Sequence, residues 1–412
     1  MNTETTKNKN GFWTLRYSLL NAAYFVAFCT IHAMAAVYLI AQGFTNTQIG
    51  VLLAIANISS AILQPVFASI IDKPGPLTNR RFILGSAILI FAGSLMLYFS
   101  GGHKAVIFIL YALIYMIQFT YQPVMTALCF EYQKAGCSIQ FGLARGIGSA
   151  SFAVTSLFIG RIIEKEGAGL LLIIDMIVML ASAVLIYAFK LPDRKDVSAL
   201  PGTDVDGTED NSASQEKAHS SLREFFQTYP AFTVYLVAVI CFFFAHNMIN
   251  DFMIRIITNL GGSEAQLGYA NFLQAILELP VMALIGFVFK KISAKSLLIV
   301  TGTAFFVKIL ILVFAVNMAG MFFSQFFQLF AYAVFVPATA FYVNDTMDTL
   351  DQVKGQAYVT SAITIGGVFS NLISGSVLDH FGIRAMLITG TAVCGVGVLI
   401  AFYAIQKLPH HC

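Results

Sequence analysis

Charge is what this sequence has least of. Asp, Glu, Lys and Arg make up 11% of its 412 residues and hydrophobic residues 58%, whereas a soluble globular protein carries about 25% charged residues. A soluble fold is thereby excluded. The net charge of +3 does not point to nucleic acid, because the basic residues lie mostly at the ends of apolar runs. Ordered cysteine spacing is also missing. Cys29, Cys129, Cys137, Cys241, Cys394 and Cys412 are scattered, with neither metal-ligand spacing nor a secreted disulfide pattern. There is no nucleophile–base pair and no phosphate loop after a strand, so enzyme chemistry and nucleotide binding have no motif to rest on. No cofactor is expected. The polar start, MNTETTKNKN, runs into a long apolar stretch without an A-x-A cleavage site, so no removable signal peptide is expected.

What the sequence has is apolar runs of membrane-crossing length. Lipid offers the backbone no hydrogen bonds, so each run must form a helix. Twelve spans are expected, at 13–41, 46–71, 80–101, 104–130, 140–163, 168–190, 228–258, 264–289, 294–317, 320–344, 353–378 and 383–406. With the N-terminus inside, seventeen of the 24 Lys and Arg residues fall on the cytoplasmic side. Four (Lys104, Arg161, Lys165 and Arg384) fall outside, and Arg145, Arg255 and Lys308 lie within spans. Positive-inside bias then places both termini in the cytoplasm. Residues 193–221 are polar, acidic and Ser/Gly-rich, and are expected to form a flexible cytoplasmic linker. The expected organisation is a six-helix half at 1–192, the linker, and a second half at 222–412.

The two halves share a plan. Residues 141–167 contain Gly160, Glu164 and Gly167; residues 356–382 contain Gly375, Asp379 and Gly382 at the same spacing. The stretch GFTNTQIG from Gly43 echoes GGSEAQLG from Gly261. Pro123 with Glu131 echoes Pro337 with Asp345. One offset near 215 residues relates all three pairs, which chance similarity among apolar helices does not produce. Internal duplication of this kind is a transporter feature, with a solute site near the midplane between the repeats.

Charges inside spans are functional candidates, since each costs about 2.5–3.5 kcal/mol to place at the bilayer centre. Glu278 lies twelve residues before Lys290, about 18 Å along the helix and near mid-membrane. It is the leading candidate for carrying a proton or contacting solute; the plain alternative is a structural pair with Lys308, which is equally deep. Asn247, Asp251 and Arg255 form an i, i+4, i+8 stripe beside His246, which is expected to face the cavity or the other half. Asp251 and Arg255 can also neutralise each other. Asp175 is a second proton site or a partner for Arg145 or His32. Tyr115, Gln118 and Gln122, and Gln325, Gln328 and Tyr332, form polar aromatic stripes suited to a polar organic solute. The same stripes would serve equally well as interhelical glue.

Asp72-Lys-Pro-Gly75 followed by Arg80-Arg81 is similar to the loop G-x-x-x-D-x-x-G-R-K of the major facilitator superfamily, with Ala68 at the first glycine. Phe141-Gly142-Leu143-Ala144-Arg145-x-x-Gly148 resembles the lactose permease pattern F-G-x-A-R-x-x-G. The resemblance extends over the whole chain and implies an all-α integral membrane fold of twelve transmembrane helices in two six-helix halves. It also implies a solute role for Arg145, with a gate or interface bridge involving Glu131 as the alternative. Asp72, Arg80, Arg81 and Glu131 become gate candidates. Phe152 takes the position of the sugar-stacking tryptophan. The fourth-span acid position is Ala127, and the tenth-span His and acid positions are Gln328 and Ala331, so the lactose chemistry is not carried over intact. The G-x-x-x-G-P-x-x-G-G pattern of drug antiporters is absent from the fifth span. The expectation is a proton-coupled symporter of a small polar organic solute such as a sugar or glycoside. It would work as a monomer in a bacterial inner membrane. An organic acid carrier and an exporter are the alternatives.

Overall fold

The structure is a computed structural model that describes residues 3–71, 73, 75–191 and 222–407. Asp72 and the expected linker at 193–221 lie outside the described residues. The described part is helical. In the first half the helices are α1 (Thr3–Phe28), α2 (Ala35–Ala41), α3 (Asn46–Ile71), α4 (Asn79–Tyr98), α5 (Lys104–Lys134), α6 (Phe141–Glu166) and α7 (Leu170–Ala188). The second half comprises α8 (Leu222–Thr228), α9 (Pro230–Asp251), α10 (Met253–Asn259), α11 (Glu264–Val288), α12 (Ala294–Phe314), α13 (Met318–Phe326), α14 (Tyr332–Thr346) and α15 (Thr349–Lys407).

Polar punctuation sets the helix starts. Thr78 accepts from the Arg81 N–H ahead of α4, Ser293 from Ser296 ahead of α12, and Asn317 from Gly320 ahead of α13. Ser263 and Gln266 form a capping box ahead of α11. Between these starts the apolar runs bury one side and leave the other outward. Ile62, Leu89, Ile109, Ile177 and Leu399 are each at least 60% exposed, a surface that lipid rather than water would cover.

By length and apolarity, nine helices among the described residues can cross a membrane, or ten if the bent pair at the start counts as one span. The last of the nine, Asp351–Gln406, is divided at Gly382, where φ is 81°. Twelve, the expected count, would require counting the bent pair, splitting that helix and adding α11, which is not among those nine.

Three expected spans are broken rather than continuous. The first passes through a π-helical segment, Cys29–Ala33, and bends by 50° before α2. The seventh breaks at Phe252 between α9 and α10. The tenth passes through a 3-10 segment, Phe327–Leu329, before α14. Such breaks are tolerated at membrane depth only where protein or a cavity, not lipid, surrounds the loosened backbone.

The repeat is visible in the backbone. Gly167 and Gly382, which match in the two halves, both adopt positive φ, as do Gly43 and Gly261. The halves meet along two helix pairs, α3 with α15 and α6 with α11. A Cβ on Gly50 would strike the Asn371 carbonyl, and one on Gly268 the Ser156 carbonyl, so both pairs approach backbone to backbone.

Candidate functional site

Near the middle of the second half, three helices bring Lys308, Gln328 and Glu278 into one line. Lys308 on α12 is 1% exposed. Its Nζ donates to Gln328 Oε1 at 2.8 Å, and Gln328 Nε2 donates to Glu278 Oε1 at 3.1 Å. An amide can do this because it carries an acceptor and donors on one planar group. Gln328 lies in the 3-10 break of the tenth span, which sets its amide between α11 and α12. The structural-pair alternative for Glu278 and Lys308 thus takes a bridged form.

Arg145 faces this line from the first half. Its guanidinium lies 4.2 Å from the Phe25 ring centroid and donates to Ser149 Oγ at 2.6 Å. It is within electrostatic reach of Glu278 and Tyr332. Glu131 instead accepts from Asn79 Nδ2 at 2.7 Å. Tyr332 stacks on His246, with centroids 5.3 Å apart and planes 6° from parallel. His246 Nε2 and Asn250 Nδ2 are 2.9 Å apart.

The expected stripe on the seventh span is divided by the break at Phe252. Asn247 donates to the Phe243 carbonyl and lies against Gly367. Asp251 faces Asn371 and is in reach of Tyr115. Arg255, beyond the break, donates to Asn46 Oδ1 at 2.8 Å rather than turning to Asp251, and has Asp379 nearby. The Asp379 carboxylate in turn accepts from the backbone N–H and side chain of both Asn46 and Thr47, at 2.6–3.2 Å. It caps the start of α3 from the other half, where a negative charge meets the positive end of the helix. These hydrogen bonds pin the two halves together at the end that carries Gly43.

Asp175 is fully buried. It accepts from Ser94 Oγ at 2.7 Å and from Gln118 Nε2 at 3.1 Å. Gln118 is therefore engaged inside the first half, as is Tyr121, which pairs with Ser182. Gln325 accepts from Gln274 at 2.9 Å. Phe152 packs against Phe28 at 6.3 Å, and Gln122 is half-buried. Among the gate candidates, Arg80 donates to the Ile186 and Tyr187 carbonyls and so caps α7, while Arg81 donates to the Pro76 carbonyl.

Sequence reasoning did not single out Asn271 or Asn371 for this region, nor commit to His32. The structure marks them by a shared feature: buried polar atoms without a hydrogen-bond partner among the described residues. These are both ring nitrogens of His32, both amide atoms of Asn371, and Asn271 Nδ2, joined by His246 Nδ1 and Asn250 Oδ1. Each such atom costs about 1–3 kcal/mol if left unpaired, so groups of them mark where a polar molecule gains most by entering. Apolar composition masks that signal in sequence, because no periodicity reports which polar atoms lack partners.

Residues 16–388 match the MFS_1 like family. Among solved structures the chain is similar to the nucleoside transporter NupG, at 12% identity and a TM-score of 0.77, covering 97% of this chain and 100% of that one. It is similar to a bacterial homolog to human lysosomal transporter Spinster in an inward-facing, unoccupied conformation, at 13% identity and a TM-score of 0.69, covering 97% and 98%. A third likeness is to a point mutant of the peptide transporter POT, at 12% identity and a TM-score of 0.67, covering 96% and 93%. Among curated proteins none matches. At these identities the structures speak for the fold, and the family match covers most of the chain. An all-helical bundle of two repeated halves, with polar groups gathered where they face each other, is built for moving small solutes across a membrane rather than for enzyme chemistry: the chain belongs to the MFS_1-like family of major facilitator transporters.

Proposed function

We propose that this protein is a proton-coupled symporter that takes up a small polar organic solute, of the sugar or glycoside kind, by alternating access. The observation that carries the reading is the Lys308–Gln328–Glu278 line with Arg145 opposite. One carboxylate there shares its surroundings with two cations from different halves. Adding a proton to Glu278 changes the balance of charge between the halves, which couples protonation to their relative position. Solute hydroxyls would exchange with the Gln328 amide, with Tyr115 and Tyr332 framing the site, and Phe152 offering a ring face.

The pinned Gly43 end supports the alternating-access part. With both termini cytoplasmic, that end is the outer one, and its closure is what an inward-facing state of the cycle requires. Asp251, His246 and Asp175 are subsidiary proton sites in this reading, and Asp72, Arg80, Arg81 and Glu131 belong to the inner gate. The six-helix units are 1–192 and 222–412, joined by the linker at 193–221. A monomer in a bacterial inner membrane contains all of these parts.

A second reading, a carrier of aromatic or other organic acids, is favoured by one observation. Arg145 lies over Phe25 with Ser149 as its one hydrogen-bonded partner among the described residues, a pairing suited to a carboxylate on an aromatic body. The test is uptake into proteoliposomes of labelled sugars, nucleosides and aromatic acids under an inward proton gradient. Accumulation of sugars or glycosides supports the first reading and accumulation of acids the second. Failure of every solute under every gradient removes the uptake reading.

A further inference from the structure

The symport reading leaves unexplained the one π-helical segment among the described helices, Cys29–Ala33. A π-bulge adds a residue to a turn and re-aims the side chains on it, and such bulges are frequent at functional sites. His32 lies on this turn. Its ring lies between Phe28, at 4.3 Å and nearly parallel, and Tyr115, at 3.8 Å, with Phe119 edge-on at 4.4 Å. Both ring nitrogens are buried without a hydrogen-bond partner. The Oε1 atom of Gln118 is likewise without a geometric partner, and that amide lies within interaction reach of the ring. A histidine kept only for packing would have its nitrogens satisfied, since burying them unpaired is costly.

The cage is continuous with the site described above. Phe28 contacts Phe152 and Phe25, and Phe25 carries Arg145, which has Glu278 within electrostatic range. Aromatic faces and an unpaired donor–acceptor ring stand at one end of this path, and charged groups at the other. We propose that His32 is a specificity-determining residue of the solute site, and that the solute carries a flat unsaturated ring with a hydrogen-bonding edge, as in a hydroxyaryl glycoside or a nucleoside. The ring packs against Phe28 and Phe152, and its polar edge pairs with His32 and Gln118. This deepens the solute-transport reading and rests on it.

The test is solute exchange in proteoliposomes with glucose, 4-hydroxyphenyl β-glucoside and uridine as probes. Wild type is compared with His32→Phe, which keeps the aromatic packing, and His32→Gln, which keeps a donor and an acceptor. Wild type is expected to exchange 4-hydroxyphenyl β-glucoside or uridine at lower half-saturation than glucose. His32→Phe should raise that half-saturation by about tenfold, the factor one hydrogen bond carries, with maximal exchange and thermal unfolding little changed. His32→Gln should restore part of the loss. Wild type that exchanges glucose best, or His32→Phe that leaves half-saturation unchanged, overturns the role of His32 and leaves transport standing. Equal loss for all three probes together with a lowered unfolding temperature assigns His32 to packing and also overturns it. Wild type that exchanges none of the three removes the transport reading for these solutes and this inference with it.

Discussion

Lys308 and Glu278 meet through the side chain of Gln328, which accepts from one and donates to the other. A bridged pair differs physically from a contact pair. The amide transmits part of the field while keeping the charges apart, and it can rotate to release either one. A buried ion pair in direct contact is costly to desolvate and to break. A bridged one is better suited to a carboxylate that must change its proton during a cycle.

The first prediction concerns that carboxylate. Glu278→Gln removes the charge and keeps the shape, so gradient-driven accumulation should be lost while solute exchange between equal compartments persists. Uptake and counterflow on the same proteoliposomes separate the two. Accumulation that survives the substitution moves the proton site to Asp251 or Asp175.

Gln328→Leu leaves Lys308 buried without its partner. Loss of stability of about 3 kcal/mol or more is expected from the orphaned ammonium group, read as a lowered unfolding temperature in detergent. Gln328→Glu keeps an acceptor for Lys308 and removes the donor to Glu278. It should retain more stability than Gln328→Leu while impairing transport. Equal stability in the two variants would count against the bridge.

Asp379 should act as a latch between the halves. Asp379→Ala removes the groups that accept from Asn46 and Thr47 across the interface. The expected result is a larger spread of distances between spin labels at Gln48 and His380, measured by pulsed electron resonance. An unchanged distance distribution would mean that the backbone contacts alone hold this end closed.

Those backbone contacts give a further prediction. Gly50→Leu places a side chain where the Asn371 carbonyl now lies. The α3–α15 contact cannot then close, so the same label pair should report a population shifted to longer distance, with the protein still folded. Gly85→Leu, at a glycine with open space around it, serves as the control and should change little.

Asp175 tests a different link. With Ser94 and Gln118 as its hydrogen-bonded partners inside the first half, Asp175→Leu should destabilise by about 1–3 kcal/mol by leaving both donors unpaired. Asp175→Asn keeps an acceptor and should cost less. If Asp175→Asn also abolishes accumulation while unfolding as wild type does, Asp175 belongs to the proton path as well as to the packing.

Much of the architecture was legible in the amino-acid order. Scarce charge and repeated apolar runs require membrane helices, because lipid leaves the backbone no other way to satisfy its hydrogen bonds. The matched glycines Gly43 and Gly261, Gly167 and Gly382 announce the duplication, because turns with positive φ exclude most other residues and therefore stand out. Glu278, Lys308, Gln328, Arg145 and Tyr332 were visible as polar groups in apolar surroundings. What only the tertiary structure decided is which of them meet. Helical periodicity assigns a residue to a face, but the partner across that face is set by how distant helices pack. So Gln328 came between Lys308 and Glu278, Gln118 turned to Asp175, and Arg255 crossed to Asn46 in the other half. The breaks at His32, Phe252 and Gln328 were hidden for the same reason. A helix loosens where neighbouring protein can take up its freed backbone groups, and a linear sequence does not say which neighbours those will be.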